Sequence, residues 1–530
     1  MSNTALPGKS IGSLLGADPV APAVQRLSES VLWDRQREFY GREAAGLWGT
    51  ATVPHSITGN PRIAHTYARL AAEFLRSVDP PGSAAPASPV ATSTSPDHDV
   101  PHFVEFGGGS GRFAYLFVRH LRELAPGRRF TYVLTDFSAD RVAGWAAHPS
   151  YRPFVEQGLL DFAVLDADDL GPIRLQVSGR TLSPGTLRAP VIGIANYVFD
   201  TLRHEGYLVR GGELLECRVA AADGTADVRW DAAPCGAVPE DLAPILQHYR
   251  ENLDDTAVLV PVGGLRCLDF LDALTSGPTC ALVADKGHCT PVELCSHEAP
   301  SVVMHGGGFS LMVNFDLLAR YTRQRGGVPI LPREPARSLV VGAFVRGTMA
   351  DPRLFATWVQ DQLLDIGPDN YFAVRPLLGA AGGPSLETML ASLRLSRFDP
   401  ALLIELLPGL LDALPAAPDS MRVEVERVLL RVWDNHFPIG EPIDMALCVG
   451  LAFSAMDRFT RAVDFLELSV KEHPDSPPAA FSMGVARRGL RDLHAALEWT
   501  QRALELDPGF AQARALRAVL IDELGDGWVV

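Results

Sequence analysis

Val104-Glu105-Phe106-Gly107-Gly108-Gly109-Ser110-Gly111-Arg112-Phe113 decides how the rest of this chain is read. An apolar run closes on an acid and glycines follow at 107, 109 and 111. Phe113, Leu116, Phe117, His120, Leu121 and Leu124 then share one face at helical spacing. The pattern predicts a strand, a tight turn and an amphipathic helix. Glycine lets such a turn close and lets a ligand lie against bare backbone, while the first turn of the helix offers N–H groups to a carboxylate. A dinucleotide-binding turn needs its third glycine at position 112, where arginine stands; Gly-x-Gly-x-Gly is present and Gly-x-Gly-x-x-Gly is not. Hydride transfer loses support from that one residue.

Working outward, short apolar runs at His102 to Phe106, Phe130 to Thr135, Leu160 to Leu165, Val191 to Ala195, Cys280 to Ala284 and Leu339 to Val345 alternate with helical stretches. Runs apolar throughout predict strands buried on both faces, hence a mostly parallel sheet covered by helices. Asp136 follows the second run and Asp166 the third. Acids at the carboxyl ends of successive parallel strands point into the crevice where such sheets bind ligands. There Asp136 can take two ribose hydroxyls, each charge-assisted bond being worth about 1.5 to 3 kcal/mol, and Asp166 can meet an adenine amino group. With Glu105, Gly107, Gly109 and Gly111 they read as a site for an S-adenosylmethionine-type cofactor, whose carboxylate suits the helix start. A different nucleotide, or a vestigial pocket, stays open as the alternative.

The chain has 530 residues, more than one ordinary core holds, so two or three domains are expected. Leu27 to Val78 is helical in pattern, and residues 80–100, rich in Pro, Ser and Ala, read as a flexible insertion. These segments and the sheet make a first domain over 1–350. The formal net charge of -16 argues against nonspecific nucleic-acid binding. No run of about 18 apolar residues predicts a membrane span, and Gly12, Gly16, Asp18 and Pro19 interrupt any secretory signal, which leaves the cytoplasm as the expected place. Seven cysteines form no Cys-x-x-Cys pair, so reduced thiols and no metal are expected.

After Gly347 the apolar runs stop and Leu, Ala and Arg dominate. Pro474 recurs at Pro508, Gly450 at Gly484 and Ala462 at Ala496, a period of 34 residues that resembles the tetratricopeptide repeat, with Phe453, Leu466 and Ala503 in matching places. Two repeats over 441–530 are expected, with a truncated third unit from Phe510 and a helical connector or degenerate repeats over 351–440. A concave repeat surface suits a protein or peptide partner.

Several segments carry a family resemblance in their order. Ile57-Thr-Gly-Asn-Pro-Arg-Ile-Ala64 precedes the first strand, Val104 to Phe113 is the glycine turn, and Ala195-Asn-Tyr-Val-Phe-Asp-Thr-Leu202 follows the fourth strand. Ala284-Asp-Lys-Gly-His288 and Met312-Val-Asn-Phe-Asp316 come later. Together they resemble the MidA family, the mitochondrial complex I assembly methyltransferases and their bacterial relatives, over about residues 35 to 347. The resemblance implies a class I, Rossmann-like methyltransferase fold that uses S-adenosylmethionine, and adds Asn196 to the cofactor residues, with Asn60 and Arg62 beside them. For the mitochondrial branch it implies methylation of a protein arginine. Tyr197 stands where the family has glutamate, so a carboxylate expected beside a guanidinium is missing.

On the acceptor side Asp200 is the surviving acid of that segment, and Asp285 and His288 follow the fifth run; these three are the catalytic candidates. His305 and the glycines at 306–308 form a loop able to close over substrate. The sequence therefore predicts an α/β methyltransferase domain followed by an all-α repeat domain, acting on a protein or peptide recruited by the repeats. A small-molecule methyltransferase that uses its repeats for assembly, and a cofactor-binding scaffold without turnover, are the competing readings.

Overall fold

The computed structural model describes residues 24–42, 57–78, 99–221, 228–295, 299–305, 308–333, 339–365, 367–380 and 385–525. The insertion expected at 80–100 lies almost wholly outside them. The protein is mixed α/β, with one large sheet and a C-terminal helical region.

The apolar runs become strands of a seven-stranded sheet. In chain order they are β1 (His102–Phe106), β2 (Thr131–Asp136), β3 (Leu160–Val164), β4 (Val191–Asn196), β5 (Thr279–Asp285), β6 (Val328–Ile330) and β7 (Val340–Arg346). Every residue of β1, β2 and β5 is buried, which is why they show no polar alternation. The spatial order is β3-β2-β1-β4-β5-β7-β6; β1 to β5 run parallel and β7 lies antiparallel between β5 and β6. The order reverses between β1 and β4, and at such a point the loops leaving two neighbouring strands diverge and open a crevice at their carboxyl ends. The three-residue β6 has too few positions to show a period, and sequence reading passes over it.

Helices cover both faces. On one, α2 (Pro61–Val78) and α3 (Arg112–Leu124) bury Tyr67, Phe74, Phe113, Leu116, Phe117 and Leu121 against Phe103, Tyr132 and Ile192. On the other, α5 (Val262–Leu274) packs with a second, antiparallel sheet, in which Glu205–Arg210 pairs with both Glu213–Ala221 and Thr256–Val260. That second sheet is largely an insertion between β4 and β5, and the sequence expectations do not include it. Helix α1 (Leu32–Arg42) is anchored to it and to the strand Gly308–Leu311. The Trp33 indole donates to Leu27 O at 2.6 Å, and the Gln36 amide exchanges two hydrogen bonds with the backbone of Phe309.

From Pro352 onward the described residues are helical. The residues that recur at 34 explain themselves by packing. A Cβ on Gly450 would stand 2.8 Å from Leu466, and one on Gly484 2.6 Å from Thr500, while Ala462 and Ala496 are fully buried. Small residues there let neighbouring helices approach. The region docks on the sheet domain through Asp434 to Glu441. Phe437, 1% exposed, inserts between Tyr115, His148 and Tyr151, with ring centroids 5.2, 4.1 and 5.1 Å away. Arg112 donates to Phe437 O at 2.9 Å and pairs with Glu441; Arg119 binds Asp434 at 2.9 Å. Among the described residues no helix is long and apolar enough to cross a membrane.

Candidate functional site

The glycine turn sits at the topological switch. Gly107, Gly109 and Gly111 have φ of +60°, +54° and +79°, a region costly for side-chain-bearing residues. Gly108 is required for a different reason: its Cβ would lie 2.2 Å from Leu134 and 2.9 Å from Trp145. The turn is tied down by Gly108 N–H donating to Thr135 O (2.8 Å) and by the Tyr151 hydroxyl donating to Gly111 O (2.6 Å). Gly111 opens α3 with no side-chain cap, so the helix start keeps N–H groups for a ligand.

Glu105 does not reach the crevice. It is buried beneath the turn and accepts the Tyr132 hydroxyl at 2.8 Å, and burial pushes its carboxyl up to about 8. At neutral pH it is largely protonated, a structural group holding β1 to β2.

A crevice of about 780 Å³, counted out to its open mouth, lies over the carboxyl ends of β1 to β4, with Gly107, Gly109, Asp136 and Asp166 on its wall. Each acid already has a basic partner. Asp136 uses Oδ1 for both Arg141 (2.5 Å) and Ser138 N–H (3.0 Å), which leaves Oδ2 for a ligand. Arg141 also donates to Tyr40 O at 3.0 Å and so ties α4 (Ala139–Ala147) to α1. Asp166 accepts Asp168 N–H at 3.0 Å and pairs with Arg37 of α1. Trp33, Gln36, Arg37 and Tyr40 make α1 one wall of the crevice. Sequence reading missed Arg37, Arg141 and this wall: Arg37 precedes Asp166 by 129 positions, and no local pattern relates them.

Tyr197, also on the crevice, has φ +55°, a strained position for a tyrosine that redirects the chain after β4. Immediately behind it the structure brings Asp200 and Asp285 together, both buried and near enough to influence each other's charge. Asp285 Oδ2 accepts the N–H groups of Phe199 (2.9 Å) and Val198 (3.3 Å). Two adjacent buried carboxyls cannot both ionise, so they share a proton. Burial pushes Asp200 up to about 6, and burial together with Asp200 holds Asp285 well above the carboxylate range. The pair lies behind the crevice wall, separated from it by the 197–201 backbone. Tyr40, on the wall, feels both charges, its hydroxyl being raised by burial first and then by the two acids.

The remaining candidates lie elsewhere. Asn196 accepts the Tyr67 hydroxyl at 3.0 Å and does not line the crevice. His288 sits in a two-residue strand paired with Val313–Asn314, away from the acid pair's crevice side. Asn60 caps α2 by accepting Ile63 N–H at 3.0 Å, and Arg62 donates to Leu395 O of the helical region at 2.8 Å; neither is on the crevice wall. His305 ends the strand Val302–His305, and residues 306 and 307 of its loop lie outside the described residues. Among the described residues no group of His, Cys, Asp and Glu is placed to hold a metal.

No family model and no curated protein matches the chain. Solved structures are similar to it. One is an uncharacterised superfamily protein from Burkholderia thailandensis, at 14% identity over 63% of this chain and 90% of that one, TM-score 0.40. A second member from the same organism, bound to S-adenosyl-homocysteine, is 14% identical over 57% of this chain and 80% of that one, TM-score 0.37. The CurJ carbon methyltransferase is 10% identical over 48% and 50%, TM-score 0.22.

Proposed function

We propose that this chain is an S-adenosylmethionine-dependent methyltransferase of the class I, MidA-like type, with a tetratricopeptide-like C-terminal region that recruits a protein or peptide acceptor. One observation carries the reading: a left-handed glycine turn at the switch of the sheet shares a crevice with acids at the ends of β2 and β3. The start of α3 would take the methionine carboxylate, Asp136 Oδ2 the ribose, and Asp166 the adenine amino group after Arg37 swings aside. S-adenosylmethionine supplies an electrophilic methyl on sulfur; the protein's task is to align an acceptor with it and exclude water, and positioning alone offers effective molarities of about 10⁵ to 10⁸ M. Asp200 and Asp285 act from behind the wall, fixing the 197–201 turn that bounds the acceptor side.

A small-molecule acceptor is the second reading. Arg37, Arg141 and Tyr197 line the crevice, and Asp136 and Asp166 are each paired to one of those arginines, which favours an uncharged acceptor over a guanidinium. Calorimetry with S-adenosylmethionine tests the core of the proposal: saturable binding is expected, and its absence from the full chain rejects it. Labelled methyl traced into macromolecules or into metabolites of a cell extract separates the two acceptors.

A further inference from the structure

The crevice divides at the topological switch. The glycine turn and the acids after β2 and β3 make its cofactor half; the other half is built from α1 and from the segment that follows β4. There the wall is Trp33 and Tyr40 on one side and Tyr197, Val198 and Leu202 on the other, so aromatic and aliphatic side chains line one cavity. These walls are set before anything binds. The Trp33 ring packs on Phe309 at 5.1 Å and spends its indole N–H on Leu27 O. Tyr40 is held through its carbonyl, which accepts from Arg141 at 3.0 Å, and its ring meets Phe39 edge-on at 5.1 Å. Tyr197 N–H donates to Ala284 O at 2.8 Å, and Asp285 holds the next two N–H groups, so the strained φ of +55° is locked from behind. A slot with fixed aromatic walls selects flat ligands by shape.

Each charged side chain on the crevice wall is already engaged. Arg141 is on Asp136, and Asp168 accepts Arg203 N–H at 3.1 Å. Arg37 pairs with Asp166 and lies over Phe137 at 5.3 Å, on the cofactor half; its side chain is 55% exposed, so on leaving Asp166 it has solvent to enter. The polar groups of the second half are spent in a particular way. Gln36 uses both ends of its amide on the backbone of Phe309. Thr201 gives its hydroxyl proton to Val198 O at 2.8 Å, so towards the crevice its oxygen can accept and not donate. The half therefore offers little to a guanidinium or a carboxylate, and offers a neutral O–H an acceptor between aromatic walls.

We propose that this half takes a neutral, planar acceptor carrying a ring hydroxyl: a phenol, free or as the side chain of tyrosine, held between Tyr40 and Tyr197 with its O–H on Thr201. The inference rests on the methyltransferase reading and names its acceptor. The phenol oxygen attacks the methyl carbon of S-adenosylmethionine. The new O–C bond forms as the C–S bond breaks, and the electron pair returns to sulfur to give S-adenosyl-homocysteine. The phenol proton passes to water at the open mouth of the crevice.

The test titrates the full chain, saturated with S-adenosyl-homocysteine, with 2-naphthol, N-acetyl-tyrosine amide, N-acetyl-arginine amide and cyclohexanol, read by calorimetry. Saturable binding of a phenol is expected, with the arginine amide and cyclohexanol weaker by about tenfold or more. Tighter binding of 2-naphthol assigns the slot to a free phenol, and tighter binding of the tyrosine amide to a protein or peptide. With S-adenosylmethionine in place of its product, mass spectrometry should find the bound phenol heavier by a methyl group. Tyr197→Asn keeps a residue that tolerates the left-handed backbone and removes the ring, and should weaken phenol binding by about tenfold. Tyr197→Phe should leave it nearly unchanged. S-adenosyl-homocysteine affinity retained in both variants shows that the fold stands; affinity that falls in step with that for phenol makes Tyr197 a cofactor residue and overturns the proposal. So do the absence of phenol binding, cyclohexanol or the arginine amide binding as tightly as the phenols, and phenol binding indifferent to Tyr197→Asn. A parent that binds no S-adenosyl-homocysteine rejects the methyltransferase reading instead, and the same titration of the free chain still reads the slot.

Discussion

Helix α3 faces two different constructions. At its start lies the crevice, whose parts come from consecutive strands of one sheet and whose chemistry stands at strand ends. Along its outer face lies the junction, where Arg112 and Phe437 meet across 325 residues of chain. The first is a matter of local order: an apolar run, then a glycine or an acid, repeated. The second depends on where a helical region folds back, and nothing in the neighbourhood of either residue announces the other. The two are mechanically linked at two points: Arg112, which opens α3 directly after the glycine turn, donates to Phe437 O, and Tyr151 donates to Gly111 O on the crevice side and packs on Phe437 on the junction side.

The sharpest way to break this comparison is Phe437→Ala. Removing a ring that is 1% exposed should cost about 3 to 5 kcal/mol of stability and expose the 434–441 segment to protease. If the crevice is a separate construction, S-adenosylmethionine affinity should fall by less than about tenfold, since the Arg112 bond to the carbonyl of residue 437 survives the substitution and the Tyr151 hydrogen bond to Gly111 O is worth about 0.5 to 1.5 kcal/mol. A larger loss would make the junction part of the cofactor site.

Gly111→Ala attacks the link from the other side. Its φ of +79° penalises a side chain by about 1 to 2 kcal/mol, and the new Cβ, 2.5 Å from the Tyr151 hydroxyl, adds about 1 to 3 kcal/mol of overpacking. Urea unfolding should register the sum, and calorimetry should show cofactor binding lost. Retained binding would show that the turn tolerates an ordinary backbone.

Asp136→Asn is milder and confined to the crevice. It keeps an acceptor for Arg141 while removing the charge offered to ribose, and affinity should drop by about 1.5 to 3 kcal/mol, roughly tenfold to a hundredfold, with the melting temperature little changed. An unaltered affinity would take Asp136 out of the site.

The same contrast explains how much could be read in advance. The six apolar runs form strands within a residue or so of the expected ends, and Asp136 and Asp166 reach the crevice wall, because strand burial and strand-end chemistry are local properties. Glu105 shows where position misleads. It stands in the motif, yet strand alternation turns its side chain beneath the turn toward Tyr132 rather than over it. Arg37 and Arg141 could not be predicted as partners of the acids, since one arrives on α1 and the other on a helix whose facing depends on the packed sheet. The Asp200–Asp285 pair was legible only as two separate acids; that they share a proton follows from β4 and β5 being adjacent and parallel.

The smallest expected effect separates the two regions by sign. Beneath the glycine turn, Glu105 is pushed up to about 8, so between its ordinary value of 4.5 and 8 the folded state holds a proton that the unfolded chain has released. Its contribution is complete below about pH 4.5 and is lost as pH rises through 8. At the junction, burial holds His436 down at about 4. There the unfolded chain binds the proton that the fold refuses; the contribution is complete above pH 6.5 and is lost as pH falls through that value toward 4. Moving from pH 7.5 to 5.5 should therefore tighten β1 and β2 while loosening the 434–441 segment, each by on the order of 1 kcal/mol per titrating group. Hydrogen exchange, corrected for the intrinsic pH dependence of the chemical step, reads both regions in one sample. Glu105→Gln should remove the first trend and leave the second. Parallel shifts in both regions would mean that the crevice and the junction open as one unit, and that the long-range contact at Phe437 outweighs the local order of the sheet.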